Sequence, residues 1–340
     1  MKAILLVIFL TATRVCAGEF PIGLYGVSPD LPLKLIAEAC FTHILPASRG
    51  HEDQQILISA ARAASLRVVG FPDAISSVSG PLRVSAWYVS DEPDINNETP
   101  EAIRRQADGI RRKDPHTPLV LVVGEGRRAA EYAESVDAVM VDWYPVPHLP
   151  LASLGDEIGT AVSQVPNRPI WAVVQSMDWR DYPQRDSNKP RIGRFPTQGE
   201  LRFMAFHSVV RGASGVFFFK MSKNGHQGIT LLNSPEHWQA LRSVTRELGT
   251  LRPFFEASNG ERLTLEGLEG RRWRKGGREL VILLNNSSLP VTLPAAYQSG
   301  RFKTLFEAQL RPSDALPAGR LHANQVFILI ASKSIFQSWP

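Results

Sequence analysis

Two stretches decide the fold class: "PLVLVVG" (118–124) and, eleven residues later, "VDAVMVDWY" (136–144). Each is apolar at nearly every position, not at alternate ones. A strand with one wet face alternates, whereas a strand buried on both faces does not. Six more runs share this texture: "FPIGLYGV" (20–27), "FTHILPA" (41–47), "LRVVGFP" (66–72), "VSAWYVS" (84–90), "PIWAVVQ" (169–175) and "SGVFFFK" (214–220). Amphipathic segments lie between them, among them "HEDQQILISAARAASL" and "PEAIRRQADGIRRKD". In "PTQGELRFMAFHSVVRGA", Thr197 and Glu200 have capping-box spacing and Gly212 is placed as a stop, which makes Glu200 a cap and not a catalyst.

Eight buried strands alternating with helices predict an α/β fold, a (β/α)8 TIM barrel over residues 18–250. A doubly wound open sheet is the alternative, but "GLYGVSPD" after the first strand is no Gly-rich phosphate fingerprint. Beyond residue 250 the texture changes. "RLTLEGLEG", "RRWRKGGRELVILLNNSS", "LPVTLPA" and "QVFILIAS" read as strands, with "KGG" and "NNSS" as hairpin turns. Residues 251–340 are therefore expected to form a small antiparallel β-sandwich domain.

The chain has 340 residues, is 44% hydrophobic and carries a formal charge of +5, ample for a large core. Its cations are scattered without interleaved aromatics, which argues against nucleic acid as a partner. Residues 1–17 read as a signal peptide: Lys2, the apolar run Ala3 to Leu10, and Val15-Cys16-Ala17 at the cleavage site. Its removal would lower the charge to +3 by taking away Lys2 and Arg14, and would leave Cys40 without a disulfide partner, as an inert core residue. The expected location is secreted or periplasmic, with no stable membrane insertion. No metal site and no cofactor is expected.

In such a barrel, function gathers where strands end. Strand 1 ends near Tyr25, strand 2 presents His43, and strand 3 ends near Asp73. Strand 4 ends in Asp91 and Glu92, strand 5 near Glu125, and strand 6 in Asp142, Trp143 and Tyr144. Strand 7 ends in Gln175 with Asp178 and Trp179 beyond it, and strand 8 ends near Lys220. Acids that exchange protons, beside aromatics that stack on sugar rings, suit cleavage of glycosidic bonds. Each residue also has a plainer reading. Acidic loops are often solvated turns, His43 suits a core, and Trp87, Trp171 and Phe217 to Phe219 suit packing. Pro93 should stop strand 4 and hold Glu92 extended.

"WYVSDEPD" (87–94), "RRKDPHTPLVLVV", "VDAVMVDWYPVP", "PIWAVVQ" and "PTQGELRFMAFHSVVRGASGVFFF" resemble a family of secreted, glycoside-hydrolase-like (β/α)8 barrel proteins, distantly like clan A of the glycoside hydrolases. The resemblance covers roughly residues 85 to 220. It implies a glycosidase whose acid/base is a Glu ending strand 4, which Glu92 matches with Asp91 in place of the usual Asn. It also implies a nucleophilic Glu ending strand 7, where this chain has Gln175, and an amide cannot form the glycosyl ester.

Three expectations follow. Another carboxylate serves with Glu92, Asp142 first and Glu125 or Asp178 behind it. Or the substrate's own acetamido group serves, as the pair Asp91-Glu92 resembles that of β-hexosaminidases. Or the barrel binds glycan without cleaving it. Under all three the partner is carbohydrate, and Tyr25, His43, Trp143, Tyr144, Gln175, Asp178, Trp179 and Lys220 are the candidate binding residues.

Overall fold

The structure is a computed structural model. It describes residues 18–77, 84–182, 192–221, 230–298, 300–306 and 319–332. The expected signal peptide lies outside the described residues.

Eight parallel strands close into a barrel: β1 (Ile22–Val27), β2 (His43–Pro46), β3 (Arg67–Gly70), β4 (Ala86–Asp91), β5 (Leu119–Val123), β6 (Ala138–Trp143), β7 (Ile170–Gln175) and β8 (Gly215–Phe219). Closure comes from β8 pairing with β1, Ile22 opposite Val216. Around it lie α1 (Leu33–Glu38), α2 (His51–Ala63), α3 (Pro100–Lys113), α4 (Ala129–Tyr132), α5 (Ala152–Gln164), α6 (Gln198–Arg211) and α7 (Pro235–Phe255).

The continuous apolar texture of the strands has its cause in two cores. Residues such as Val120, Val122, Met140, Val173 and Phe217 point into the barrel. Their neighbours Leu121, Val123, Val141, Val174 and Phe218 point out to the helix layer. Apart from Arg67 and Asp91 at strand ends, every barrel-strand residue is thus covered on one side or the other. The α6 capping box is present, with Thr197 and Glu200 each bonding the other's backbone, and Gly212 stops the helix at φ +112. Cys40 departs from expectation. It is half-buried, just beyond α1, with φ +66, so it ends that helix and is not part of its packed face.

The tail has a five-stranded antiparallel sheet, in which β9 (Glu261–Leu265), β10 (Leu268–Lys275), β11 (Arg278–Leu284), β13 (Lys303–Thr304) and β15 (Val326–Ser332) run in the order β13-β15-β11-β10-β9. A second, two-stranded sheet pairs β12 (Val291–Thr292) with β14 (Arg320–Leu321). Alternation on β11 joins the layers: Leu280, Ile282 and Leu284 pack toward the barrel, while Val281 and Leu283 face a small separate core. The expected "KGG" hairpin is present, because Gly276 and Gly277 both take positive φ between the paired residues Lys275 and Arg278. "NNSS" is not a hairpin. β11 and β12 belong to different sheets, and the Asn285 amide bonds Leu289 O and Leu321 O to turn the chain between them. The barrel's last helix runs to Phe255, past residue 250, because Leu251, Phe254 and Phe255 are apolar side chains buried against the core.

Candidate active site

Glu92 does not sit extended. Between Tyr88 and Asp91 the pairing of β4 with β5 slips: Tyr88 lies opposite Val120 and Asp91 opposite Val122, three residues spanning what two span on the partner. This bulge puts Asp91 on the inward side with Tyr88. Glu92 then takes φ +45, in the left-handed region, where a side chain costs about 1–2 kcal/mol. Its backbone is held there by three bonds. Its N–H donates to Val122 O (3.1 Å), and its carbonyl accepts from Ile95 N (3.0 Å) and Asn96 N (2.8 Å). Pro93 does end the strand, but the turn behind it overrides the extended preference of the preceding residue.

Asp94 anchors the same turn. Its two carboxylate oxygens accept from Gly124 N (3.1 Å) and Glu125 N (2.9 Å). Where β5 ends, Gly124 has no side chain, and a Cβ there would come within 3.5 Å of Glu92 Oε1. The half-buried Glu92 side chain thus crosses the end of β5 toward β6.

Asp142 meets it. It continues the inward row of Ala138 and Met140, and it is 8% exposed. Tyr144 donates to its Oδ2 at 2.8 Å. Its other oxygen, Oδ1, is buried with no donor among the described residues. The Glu92 carboxyl is nonetheless within hydrogen-bonding reach of Asp142. The two observations agree if one carboxyl is protonated, since two carboxylates cannot bond each other. Burial raises the Asp142 pKa well above the carboxylate range. The Glu92 charge raises it further, and the Tyr144 bond partly offsets the rise. Burial and the Glu92 charge thus favour the protonated form of Asp142.

Two further phenols complete the cluster. Tyr88 donates a short hydrogen bond to Oδ1 of Asp91, which is exposed. Tyr25 is buried beside it, hydrogen-bonded to Tyr88 and 3.5 Å from Met140 Sδ. Burial, then the negative charge of Asp142 and Asp91, holds the Tyr25 phenol protonated well beyond its ordinary range. Tyr25 is therefore brought to the site, though beneath the carboxyls and not on an open face. Tyr88, not among the candidate residues read from the sequence, joins the cluster.

An aromatic wall stands on the β6–β8 side. Tyr144 stacks on Phe219 (5.3 Å, 18°) and meets Trp179 (6.0 Å), and Tyr182 lies against Phe219 (6.3 Å, 23°). Lys220 Nζ lies 4.5 Å above the Tyr182 ring and 3.6 Å from Asp181 Oδ2. Trp179 and Lys220 thus belong to the mouth.

Four expected binding residues do not. His43 begins β2 and so stands at the N-terminal end of the barrel, with Nδ1 2.8 Å from Thr42 Oγ1. Burial, with Arg67 and Arg252 nearby, pulls its pKa down to about 3. Trp143 falls on the outward side of β6 and donates to Ser153 Oγ on α5 (3.0 Å). Gln175 points inward but is 0% exposed. Its Oε1 accepts from Val146 N (2.8 Å), and its Nε2 donates to Val146 O (2.8 Å) and Met177 O (3.3 Å). Its amide is consumed in holding the β6–α5 loop. Asp178, fully buried, is spanned by the Arg180 guanidinium and accepts from Arg180 N (2.8 Å), which caps the next turn. Glu125 pairs with Arg127 at 2.7 Å. Among the described residues no three His, Cys, Asp or Glu side chains are grouped as a metal site. A cavity of about 590 Å³, lined in part by Asp137, Arg168, Trp171 and Arg271, lies at the opposite end of the barrel, and none of the carboxyls discussed above lines it.

No family model and no curated protein matches the sequence. Solved structures do. The fold is similar to an alpha-amylase from Geobacillus thermoleovorans complexed with acarbose (TM-score 0.59, 10% identity, covering 94% of this chain and 100% of that one). It is similar to a GH30 endoxylanase from Clostridium papyrosolvens C71 (0.53, 9%, 93% and 96%). It is also similar to a beta-galactosidase from Bacillus circulans sp. alkalophilus (0.53, 10%, 72% and 58%). At such identities the likeness is one of fold, and it is a fold shared with glycoside hydrolases. The chain is a (β/α)8 barrel with a C-terminal antiparallel β domain.

Proposed function

We propose that the protein is an exported glycoside hydrolase acting on carbohydrate, with Glu92 as the proton donor. One observation carries the reading: the Glu92 carboxyl meets a second, buried carboxyl, Asp142, where β4 and β6 end. A glycan-binding barrel needs no such pair, and holding two acids together costs stability, which favours a catalytic reason for the arrangement. Glu92 is the more exposed member, so it hands the proton to the departing glycosidic oxygen. Asp142 is the store that the proton comes from. As the C–O bond breaks, water forms the new bond to the anomeric carbon and releases its proton to a carboxylate of the Asp91, Glu92 and Asp142 cluster.

The pair is too close for one member to attack while the other protonates across a sugar. That division needs about 5–5.5 Å for retention or about 6.5–9.5 Å for inversion. In this arrangement Asp142 is a partner in proton transfer and not a nucleophile.

A second reading has support of its own. Gln175 leaves β7 without a terminal carboxylate, and Asp91, held by Tyr88, lies beside Glu92 on the inward side. These favour substrate-assisted hydrolysis of N-acetylated sugars, with Asp91 orienting the acetamido group.

The test is release of reducing sugar from a panel of neutral, acidic and N-acetylated oligosaccharides by residues 18–340 and by Glu92→Gln. Hydrolysis that the variant loses by about 10²–10⁴ supports the assignment, and cleavage confined to N-acetylated sugars selects the second reading. Binding without release by a folded wild type would leave glycan recognition as the function.

A further inference from the structure

We infer that Tyr144 is a positioning residue: by donating to Asp142 Oδ2 it turns Oδ1, the oxygen that carries the exchangeable proton, toward Glu92. The inference rests on the reading of Glu92 and Asp142 as the working pair, and it assigns to Tyr144 a task other than contact with sugar.

A carboxyl group has two oxygens, and a proton can reside on either. On Asp142 one is occupied, since the Tyr144 hydroxyl donates to Oδ2 at 2.8 Å. The unprotonated oxygen of a carboxylic acid is the better acceptor, so the Tyr144 bond to Oδ2 favours the proton on Oδ1. That atom is buried and has no other donor among the described residues. The phenol cannot easily leave. Its ring stacks on Phe219 at 5.3 Å and is edged by Trp179 at 6.0 Å. Its own proton is secure, because burial and the adjacent Asp142 charge hold the phenol well above its ordinary range. Tyr144 is thus a fixed donor, and the proton between Glu92 and Asp142 is the one that moves. Tyr88 donates to a different carboxyl, Asp91, and serves as the control.

Removing the hydroxyl has a signed consequence. A hydrogen bond to the ionised carboxylate favours that form and lowers its pKa. Tyr144→Phe keeps the ring and its stacking but removes that bond, so the Asp142 pKa rises. A charge-assisted bond of ordinary strength corresponds to about one pH unit.

The experiment has two readouts. In the first, side-chain carboxyls are ¹³C-labelled and titrated by NMR in wild type, Tyr144→Phe and Tyr88→Phe, with Asp142→Asn to assign the resonance. The Asp142 titration should move up by about one unit in Tyr144→Phe and stay in place in Tyr88→Phe. In the second, kcat and KM are followed against pH on a substrate that wild type cleaves. The alkaline limb should move up with the titration, and kcat should fall about tenfold with KM within twofold. An Asp142 titration that does not move in a folded Tyr144→Phe overturns the inference, and so does a loss of kcat with both limbs fixed. A moved titration in a protein that cleaves nothing on the panel keeps the positioning role and removes the hydrolase reading. The two failures are therefore distinguishable.

Discussion

At the scale of single residues, the site holds acids whose surroundings keep them unequal. Asp142 is buried beside a like charge, and Glu92 is half-exposed in a strained backbone geometry. Strain of this kind persists only where neighbouring bonds impose it, and here three backbone bonds and the Asp94 anchor do so. His43 shows the opposite use of burial. Its pKa is held at about 3, below the usual 6.5, so the unfolded chain binds a proton that the folded chain refuses between those values. The stability it contributes is complete above pH 6.5 and is lost as pH falls toward 3, by up to about 1.4 kcal/mol per pH unit. Replacing it by Gln should flatten that loss in urea titrations at pH 4 and pH 7. An unchanged difference between the two pH values would show that His43 is not the group responsible. Glu92 and Asp142 were legible in the sequence because they end strands. The left-handed turn at Glu92 was not, since it depends on a bulge set by the neighbouring strand.

At the scale of elements, alternation decides which residues reach the mouth. On β6 the inward row is Ala138, Met140, Asp142 and then Tyr144, which leaves Trp143 facing the helices. Reading the last residues of a strand as equivalent therefore admits Trp143, which the period of two would have removed. Gln175, expected to bind substrate, lies on an inward row but turns its amide to a loop and not to the open mouth. The loop that covers it, carrying Val146, comes from a different strand, and no local pattern in the sequence places that loop there. The amide is matched to its partners: one acceptor meets an N–H, and one NH₂ meets two carbonyls. Gln175→Glu, which would restore the carboxylate that the family resemblance expects, puts charge against the Val146 and Met177 carbonyls. It should lower stability by roughly 2–5 kcal/mol in denaturant unfolding and bring no gain in hydrolysis. A stable Gln175→Glu with raised activity would return the nucleophile to β7.

At the scale of the whole molecule, the tail is part of the barrel's cover. Trp273, Leu280, Ile282 and Leu284 share one apolar cluster with α6 and α7. Charged contacts fasten its edges: Arg211 binds Glu269 (2.7 Å), and Arg202 spans from Glu247 (2.8 Å) to Val326 O (2.7 Å). Cutting the chain after residue 258 would bare that face, so the shortened barrel should aggregate or lose several degrees of Tm, as scanning calorimetry can measure. A monomeric fragment of unchanged Tm would make the tail an independent module. The order of barrel and tail was readable from texture alone. The pairing of β12 with β14 was not, because it joins segments far apart in the chain. The central claim is that Glu92 and Asp142 act as one unit. A double-mutant cycle of Glu92→Gln and Asp142→Asn, read as kcat/KM on the cleaved glycan, tests it most directly. The account predicts that the double variant is about as slow as the worse single one. Losses that multiply, or an Asp142→Asn enzyme of wild-type rate, would contradict it.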